Sequence, residues 1–313
     1  MRHILVTGAG GGLGASLCDL LAVSGDTVFA ADIDLGALKK RGQGPGVVPL
    51  RVDVTSARDV ARARKRVEAA TDGLDGLVCC AGIFRAGALV EAGEREMELA
   101  LDINVMGVFR TVREFFPLLA KRGGRVVLIG SELSHCAMPF NGPYTVSKCA
   151  LQAYADSLRR ELMFIGMRVV VVQPGAMRTP LLSGAHFRIE GREGRTLFPT
   201  QLDLVRRMLS REWETGREPA DVARVVVRAL HSRKPRAIYR VGNDPFRVML
   251  GRLPARWTDL MIRAFVTLRS PARRVPPVRR ARPVTPSPAP RSASGSTRAP
   301  RCAGRGRCAS PRA

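Results

Sequence analysis

The stretch HILVTGAGGGLGASLCDLLAVSG, His3 to Gly25, decides the fold. It opens with a short β-branched apolar run and enters a cluster of glycines. It then continues as LGASLCDLLAVSG, with apolar residues at helical spacing until Gly25. A strand, a glycine turn and a helix in that order begin a βαβ unit. Glycines permit a tight turn and a close backbone approach to a pyrophosphate, and the helix start offers unpaired N–H groups and the positive end of its dipole. Thr7, Gly8, Gly12, Leu13 and Gly14 are therefore expected to bind a dinucleotide.

The pattern continues outward. DTVFAAD (26–32) reads as a strand ending on an acid, and GVVPLRVDVT (46–55) as a third strand. SARDVARARKRVEAA (56–70) reads as a helix capped by Ser56. LDGLVCCAG (74–82) is a fourth strand, 94–122 a helix, GRVVLIGS (124–131) a strand, 144–166 a helix and MRVVVVQPG (167–175) another strand. Alternation of this kind, with almost wholly apolar strands, predicts an α/β fold: a Rossmann-type, doubly wound parallel sheet with helices on both faces. Beyond Pro174 the pattern loosens into a substrate loop at 178–217 with a helix near 201–214. A helix at 218–232 and a short strand, RAIYRVG (236–242), follow. Residues 244–268 read as a basic amphipathic pair of helices broken at Pro254, with Arg247, Arg252, Arg256 and Arg263 interleaved among apolar residues.

The chain has 313 residues, 45% hydrophobic, enough to bury a large core. Its net charge is +24, of which eleven arginines come from 270–313, a segment with no acid. Arg, Pro, Ala, Gly and Ser dominate there and cannot offset the cost of ordering a backbone. One domain, 1–269, and a disordered tail, 270–313, are expected. A tail of this charge could meet nucleic acid or an anionic membrane, although a solvated end is the plainer reading. The seven cysteines lack the spacing of a disulfide framework or a metal site. With no signal peptide or membrane span visible, a cytoplasmic protein without a metal is expected.

Asp32 ends the second strand eighteen residues after Gly14. A carboxylate there accepts from ribose hydroxyls and repels a 2′-phosphate, which favours NAD over NADP. Asp34 could compete for that role. Asp53 and Val54, closing the third strand, are expected near the adenine, with a strand-end cap as the alternative for Asp53.

GPYTVSKCAL (142–151) places Tyr144 and Lys148 on one helix face. A free phenol titrates near ~10 and is a poor base at neutral pH. A neighbouring ammonium would lower that pKa, letting Tyr144 take the proton of an alcohol or return it to an alkoxide. Ser131, at a strand end thirteen residues upstream, is placed to hydrogen-bond the reacting oxygen.

Together the Thr7–Gly14 loop, Asp32, Asp53, Asn104, Ser131, Tyr144, Lys148 and the Pro174-Gly175 turn with Thr179 make the chain resemble the short-chain dehydrogenase/reductase family over about 3–268. Within that family it looks most like members acting on hydroxysteroids and retinol-type alcohols. The resemblance implies that Lys148 also holds the nicotinamide ribose, and that Asn104 holds a water relaying the proton through Lys148. It further implies that Pro174, Gly175 and Thr179 meet the carboxamide, and that the chain forms a homodimer or homotetramer. Cys79-Cys80-Ala81-Gly82 departs from the family's Asn-Asn-Ala-Gly, and cysteine, small and a weak donor, cannot fully replace the strand tie made by the second asparagine. A modest loss of stability with the backbone unchanged is expected, with weakened cofactor binding as the alternative. Cys80, Ala81 and Gly82 remain expected at the cofactor.

Leu133, Met138, Phe140, Leu181, Leu182, Phe187, Leu197 and Phe198 are candidate pocket residues and suggest a hydrophobic secondary alcohol or ketone. Two rival readings stand beside an NAD-dependent oxidoreductase. One is a non-catalytic cofactor-binding sensor, suggested by Cys80; the other is a protein that binds nucleic acid or membrane through its tail.

Overall fold

A computed structural model describes residues 1–40, 45–179, 181 and 196–269. The expected tail, Leu182 and Phe187 lie outside the described residues.

Among the described residues seven strands form one parallel sheet: β1 (His3–Thr7), β2 (Thr27–Asp32), β3 (Val47–Arg51), β4 (Gly76–Cys79), β5 (Arg125–Ile129), β6 (Arg168–Pro174) and β7 (Ile238–Val241). Their order is β3-β2-β1-β4-β5-β6-β7. The chain winds outward from β1 in one direction and from β4 in the other. The crevice between them, at the carboxyl ends of the strands, is where such sheets bind ligands.

Alternation along each strand fixes which residues meet which helices. Leu5, Phe29, Leu77, Leu128, Val169 and Val171 face one side. There they pack on α3 (Ala57–Ala70), α5 (Gly107–Arg122) and α6 (Gly142–Leu162), through Val67, Phe115, Leu119 and Leu151. Ile4, Val6, Val28, Val78, Val127 and Val170 face the other side. They pack on α1 (Gly12–Val23) and α8 (Pro219–His231), through Leu17, Leu21, Val222 and Val226. With both faces covered, the strand interiors are almost wholly apolar. Pro49 sits in β3, an edge strand, where a missing N–H costs no ladder bond on the open side.

Local signals place most boundaries. Ser56 Oγ accepts from Asp59 N at 3.2 Å and starts α3. Asp244 Oδ1 accepts from Phe246 N at 2.7 Å and starts α9 (Pro245–Leu250), while α10 (Ala255–Arg269) follows the break at Pro254. α7 spans Pro199–Thr215 and the short α2 spans Leu35–Lys40. One expectation is corrected. The helix expected over 94–122 is α4 (Glu94–Leu101) and α5 joined by a π turn, Asp102–Met106. Periodicity does not reveal an extra residue in a helix, and π turns often sit at functional positions.

Candidate active site

A cavity of about 380 Å³ runs along the carboxyl edge of the sheet. It is lined from the glycine loop (Gly8, Gly12, Leu13, Gly14) through Asp32, Asp53, Val54, Cys80, Ala81 and Gly82 to Ser131, Tyr144, Lys148, Pro174, Gly175 and Thr179. Of the residues expected at the site, Thr7 and Asn104 do not line it. Both are buried behind its wall.

The loop's geometry depends on two glycines. Gly8 has φ +69°, and a Cβ there would lie 2.6 Å from Ala81 N. A Cβ on Gly14 would lie 2.0 Å from Gly8 O. No side chain fits at either place, so the loop stays close to β4 and leaves its groove open.

Asp32 Oδ2 accepts from Gly10 N and Oδ1 from Asp34 N, each at 2.9 Å. These bonds aim the carboxylate along the groove wall. Asp34 Oδ1 instead accepts from Ala37 N within α2, and Asp34 does not line the cavity. Asp53 Oδ1 accepts from Thr55 N and Oγ1, so Asp53 caps its strand end as well as lining the groove.

At the Cys79-Cys80 departure the backbone is held from β1. Thr7 Oγ1 accepts from Cys80 N at 3.2 Å and from Ala81 N at 3.4 Å. The tie between β1 and the end of β4 is thus made by a threonine hydroxyl and needs no amide from Cys80. Cys79 belongs to the core. Burial pushes the Cys80 thiol up to about 12, with Lys148 pulling it down and Asp32 pushing it up more weakly, so it stays neutral.

Asn104 sits in the π turn. Its Oδ1 accepts from Ile83 N at 2.8 Å, and its Nδ2 donates to Ile83 O at 3.0 Å and to Ser147 Oγ at 2.9 Å. The side chain fastens the segment after β4 to α6, the helix that carries Tyr144 and Lys148.

Ser131 Oγ accepts from Leu133 N at 3.2 Å. Tyr144 is buried against Phe84, ring centroids 4.6 Å apart. Lys148 Nζ donates to Ile129 O at 2.8 Å and lies 5.7 Å from the Tyr144 ring centroid. The expected lowering of the phenol pKa is corrected. Burial pushes Tyr144 up to about 12, a hydrogen bond with Ser131 pulls it back, and the charge of Glu132 adds to the rise. Burial likewise pushes Lys148 down to about 8, which weakens the ammonium expected to act on the phenol. Helix spacing showed the pairing of the two groups but not their desolvation.

The sequence reading missed three charged residues on the cavity wall: Glu132, Glu212 and Arg247. Arg247, read as one of four arginines interleaved in a basic amphipathic helix pair, is buried and paired with both glutamates. Its only signal was Glu132, an acid next to Ser131 at the end of an apolar strand. Of the apolar candidates, Leu133 and Leu181 line the cavity. Met138 and Phe140 line a smaller neighbouring one. Phe198 packs on Phe140 at 5.3 Å, and Leu197 is exposed. Phe140 has φ +63°, a strained backbone for an aromatic residue, and its carbonyl accepts from Gly87 N at 2.7 Å. Among the described residues no helix is long and apolar enough to cross a membrane, and no cluster of His, Cys, Asp or Glu could hold a metal.

A parallel sheet of this order with a glycine loop at its switch point defines a dinucleotide-binding α/β protein. The short chain dehydrogenase family model matches residues 2–186. The chain is 31% identical over 259 residues to a 3-amino-tetrahydro-pyrrolizinone reductase of Xenorhabdus hominickii, covering 78% of this chain and 87% of that protein. It is 32% identical over 256 residues to human 17-beta-hydroxysteroid dehydrogenase type 1, covering 75% and 76%. A short-chain dehydrogenase/reductase from Burkholderia phymatum, solved in complex with NAD, superposes with a TM-score of 0.70 at 25% identity, over 83% of this chain and 95% of that one. The chain belongs to the short-chain dehydrogenase family, whose members bind nicotinamide dinucleotides.

Proposed function

We propose that this protein is an NAD-dependent oxidoreductase that interconverts a hydrophobic secondary alcohol and its ketone, with Tyr144 as general acid and base. The observation that carries this reading is the continuity of one cavity from the glycine loop and Asp32 to Ser131, Tyr144 and Lys148. The reductase and steroid dehydrogenase activities named for its relatives support the reaction class.

The residues present fit the cofactor. Gly8 and Gly14 admit no Cβ, helix α1 begins at Gly12 with open N–H groups, and Asp32 presents acceptors where a 2′-phosphate would be repelled. When bound, the nicotinamide supplies or accepts the hydride and, oxidised, brings a positive charge into the cavity. Thr179 and the backbone after Gly175 would hold its carboxamide, and Lys148 its ribose. Asp53 and Val54 would meet the adenine.

The protein's own groups handle the proton. A buried phenol held near 12 is protonated at neutral pH and is a ready donor to a carbonyl oxygen. Ser131, on the same phenol, would hydrogen-bond the reacting oxygen. Lys148, held near 8, can exchange a proton with the phenol as it is consumed. The Asn104 side chain is spent on Ile83 and Ser147, so a relay water there would have to share those groups or use the backbone. Apolar walls at Phe84, Leu133, Leu181 and Leu209 favour a hydrophobic substrate. Met106, Phe109 and Val146, exposed on the π turn, α5 and α6, support a homodimer through these helices.

Thermal stabilisation by NAD, NADH, NADP and NADPH, followed by an alcohol and ketone screen, tests the reading. It expects a shift with NADH that exceeds that with NADPH, and turnover of apolar ketones. No shift with any dinucleotide would defeat it.

A further inference from the structure

The candidates expected on the substrate side of the cavity are apolar, and the structure adds a buried polar cluster there. Arg247 on α9 donates from Nη1 to Glu132 Oε1 at 2.5 Å and from Nη2 to Glu212 Oε1. Glu132 is further tied through Oε2, which accepts from Asp244 N at 2.8 Å. All three charged side chains line the same cavity as Tyr144. Beside them, Asn141 lines both this cavity and the small one next to it. Asn141 is 6% exposed, and its Oδ1 finds no hydrogen-bond partner among the described residues.

Among the described residues the cluster leaves acceptors open at the cavity. One guanidinium faces two carboxylates, and one hydrogen each of Nη1 and Nη2 is committed to them. Glu132 uses both oxygens within the protein. Glu212, on α7, gives only Oε1 to Arg247, which leaves Oε2 to accept. Asn141 Oδ1 is a second acceptor. A buried acceptor without a donor is costly, so a ligand that supplies a hydrogen there is favoured over one that covers the site with carbon. The excess of negative charge disfavours an anion.

We propose that Glu212 and Asn141 recognise a second polar group on the substrate, an O–H or N–H remote from the reacting carbon. The preferred substrate is then an apolar ketone or alcohol that carries a hydroxyl or amine at its other end. The inference rests on the reading of Tyr144 as the group that meets the reacting oxygen. Glu132 and Arg247 act as the scaffold that fixes Glu212, while the leucines of the cavity accept the body of the molecule.

The test compares four ketones of one apolar skeleton, ending in hydroxyl, primary amine, methoxy or hydrogen, by kcat/KM and by calorimetric binding. Sites built around a hydrogen bond reject analogues that lack it, so the hydroxyl or amine compound should exceed the methoxy compound roughly tenfold to a hundredfold. The hydroxyl and amine arms tell the two donors apart. That ratio should fall towards one in Glu212→Met, which keeps bulk at the position. It should fall partly in Asn141→Ala, where no protein bond of Oδ1 is lost. A merely structural cluster would lower the melting temperature of Glu212→Met without moving the ratio. Equal use of the four ketones by the unaltered protein, or a ratio unchanged in both variants, would overturn the proposal. Turnover of none of them would count against the oxidoreductase reading instead, and the binding ratio would still decide this one.

Discussion

Lys148 Nζ donates to the carbonyl of Ile129, the last residue of β5, at 2.8 Å, and is buried while doing so. Burial holds its pKa down at about 8, against an ordinary 10.5. The folded protein therefore releases this proton before the unfolded chain does. Between about pH 8 and 10.5 the unfolded state binds more protons, so this group's contribution makes stability rise with pH. Below about 8 the charged, desolvated ammonium costs up to about 3 kcal/mol. Lys148→Met should stabilise the protein most below pH 8, with the gain shrinking as pH approaches 10.5. Denaturant melts of both proteins across that range check this. A gain independent of pH would contradict it.

Thr7 Oγ1 ties β1 to the backbone at the end of β4. Thr7→Val keeps the shape and removes the acceptor for Cys80 N and Ala81 N. It should cost about 1–3 kcal/mol and weaken dinucleotide binding. Cys80→Ala leaves both backbone bonds in place and should cost less. The order of the two melting temperatures decides the point, since equal losses would mean that the thiol carries the tie.

Gly14→Ala would drive a Cβ to 2.0 Å from Gly8 O, a backbone atom that cannot swing away. The loop would have to open, at a cost of about 3 kcal/mol. Dinucleotide affinity should fall at least about tenfold by titration, since a loop shifted off β4 no longer presents its N–H groups. Wild-type affinity would show that the loop does not hold the cofactor.

Under the proposed function, Asp32 discriminates between NADH and NADPH. Asp32→Asn keeps an acceptor for Gly10 N but removes the charge. The ratio of NADPH to NADH affinity should rise roughly tenfold. An unchanged ratio would shift the discrimination to another residue, and residues 41–44, which include Arg41, would be the next to vary.

The fold was legible because each signal was local. The run before Gly8, the Ser56 cap and the break at Pro254 act over a few residues. Continuous apolar strands showed that helices cover both faces. The groove was legible for the same reason, since Gly8, Asp32, Ser131, Tyr144 and Lys148 stand at strand ends or on one helix turn. What escaped was set by distance in the chain. Arg247 meets Glu132 across 115 residues, and no periodicity shows that a basic residue on an amphipathic helix has a buried partner. The direction of the Tyr144 shift escaped because spacing shows a neighbour but not desolvation. The Asn104 π turn escaped because one extra residue barely disturbs a helical pattern.

The most direct test of the central claim is reduction of a ketone substrate by NADH with the unaltered protein and with Tyr144→Phe, alongside NADH binding to each. The phenol hydroxyl is the proposed proton donor, while the ring's packing on Phe84 survives the change. Turnover should fall by at least about a thousandfold with NADH affinity nearly unchanged. Turnover within a fewfold of the unaltered protein would contradict the assignment of Tyr144 as the acid and base.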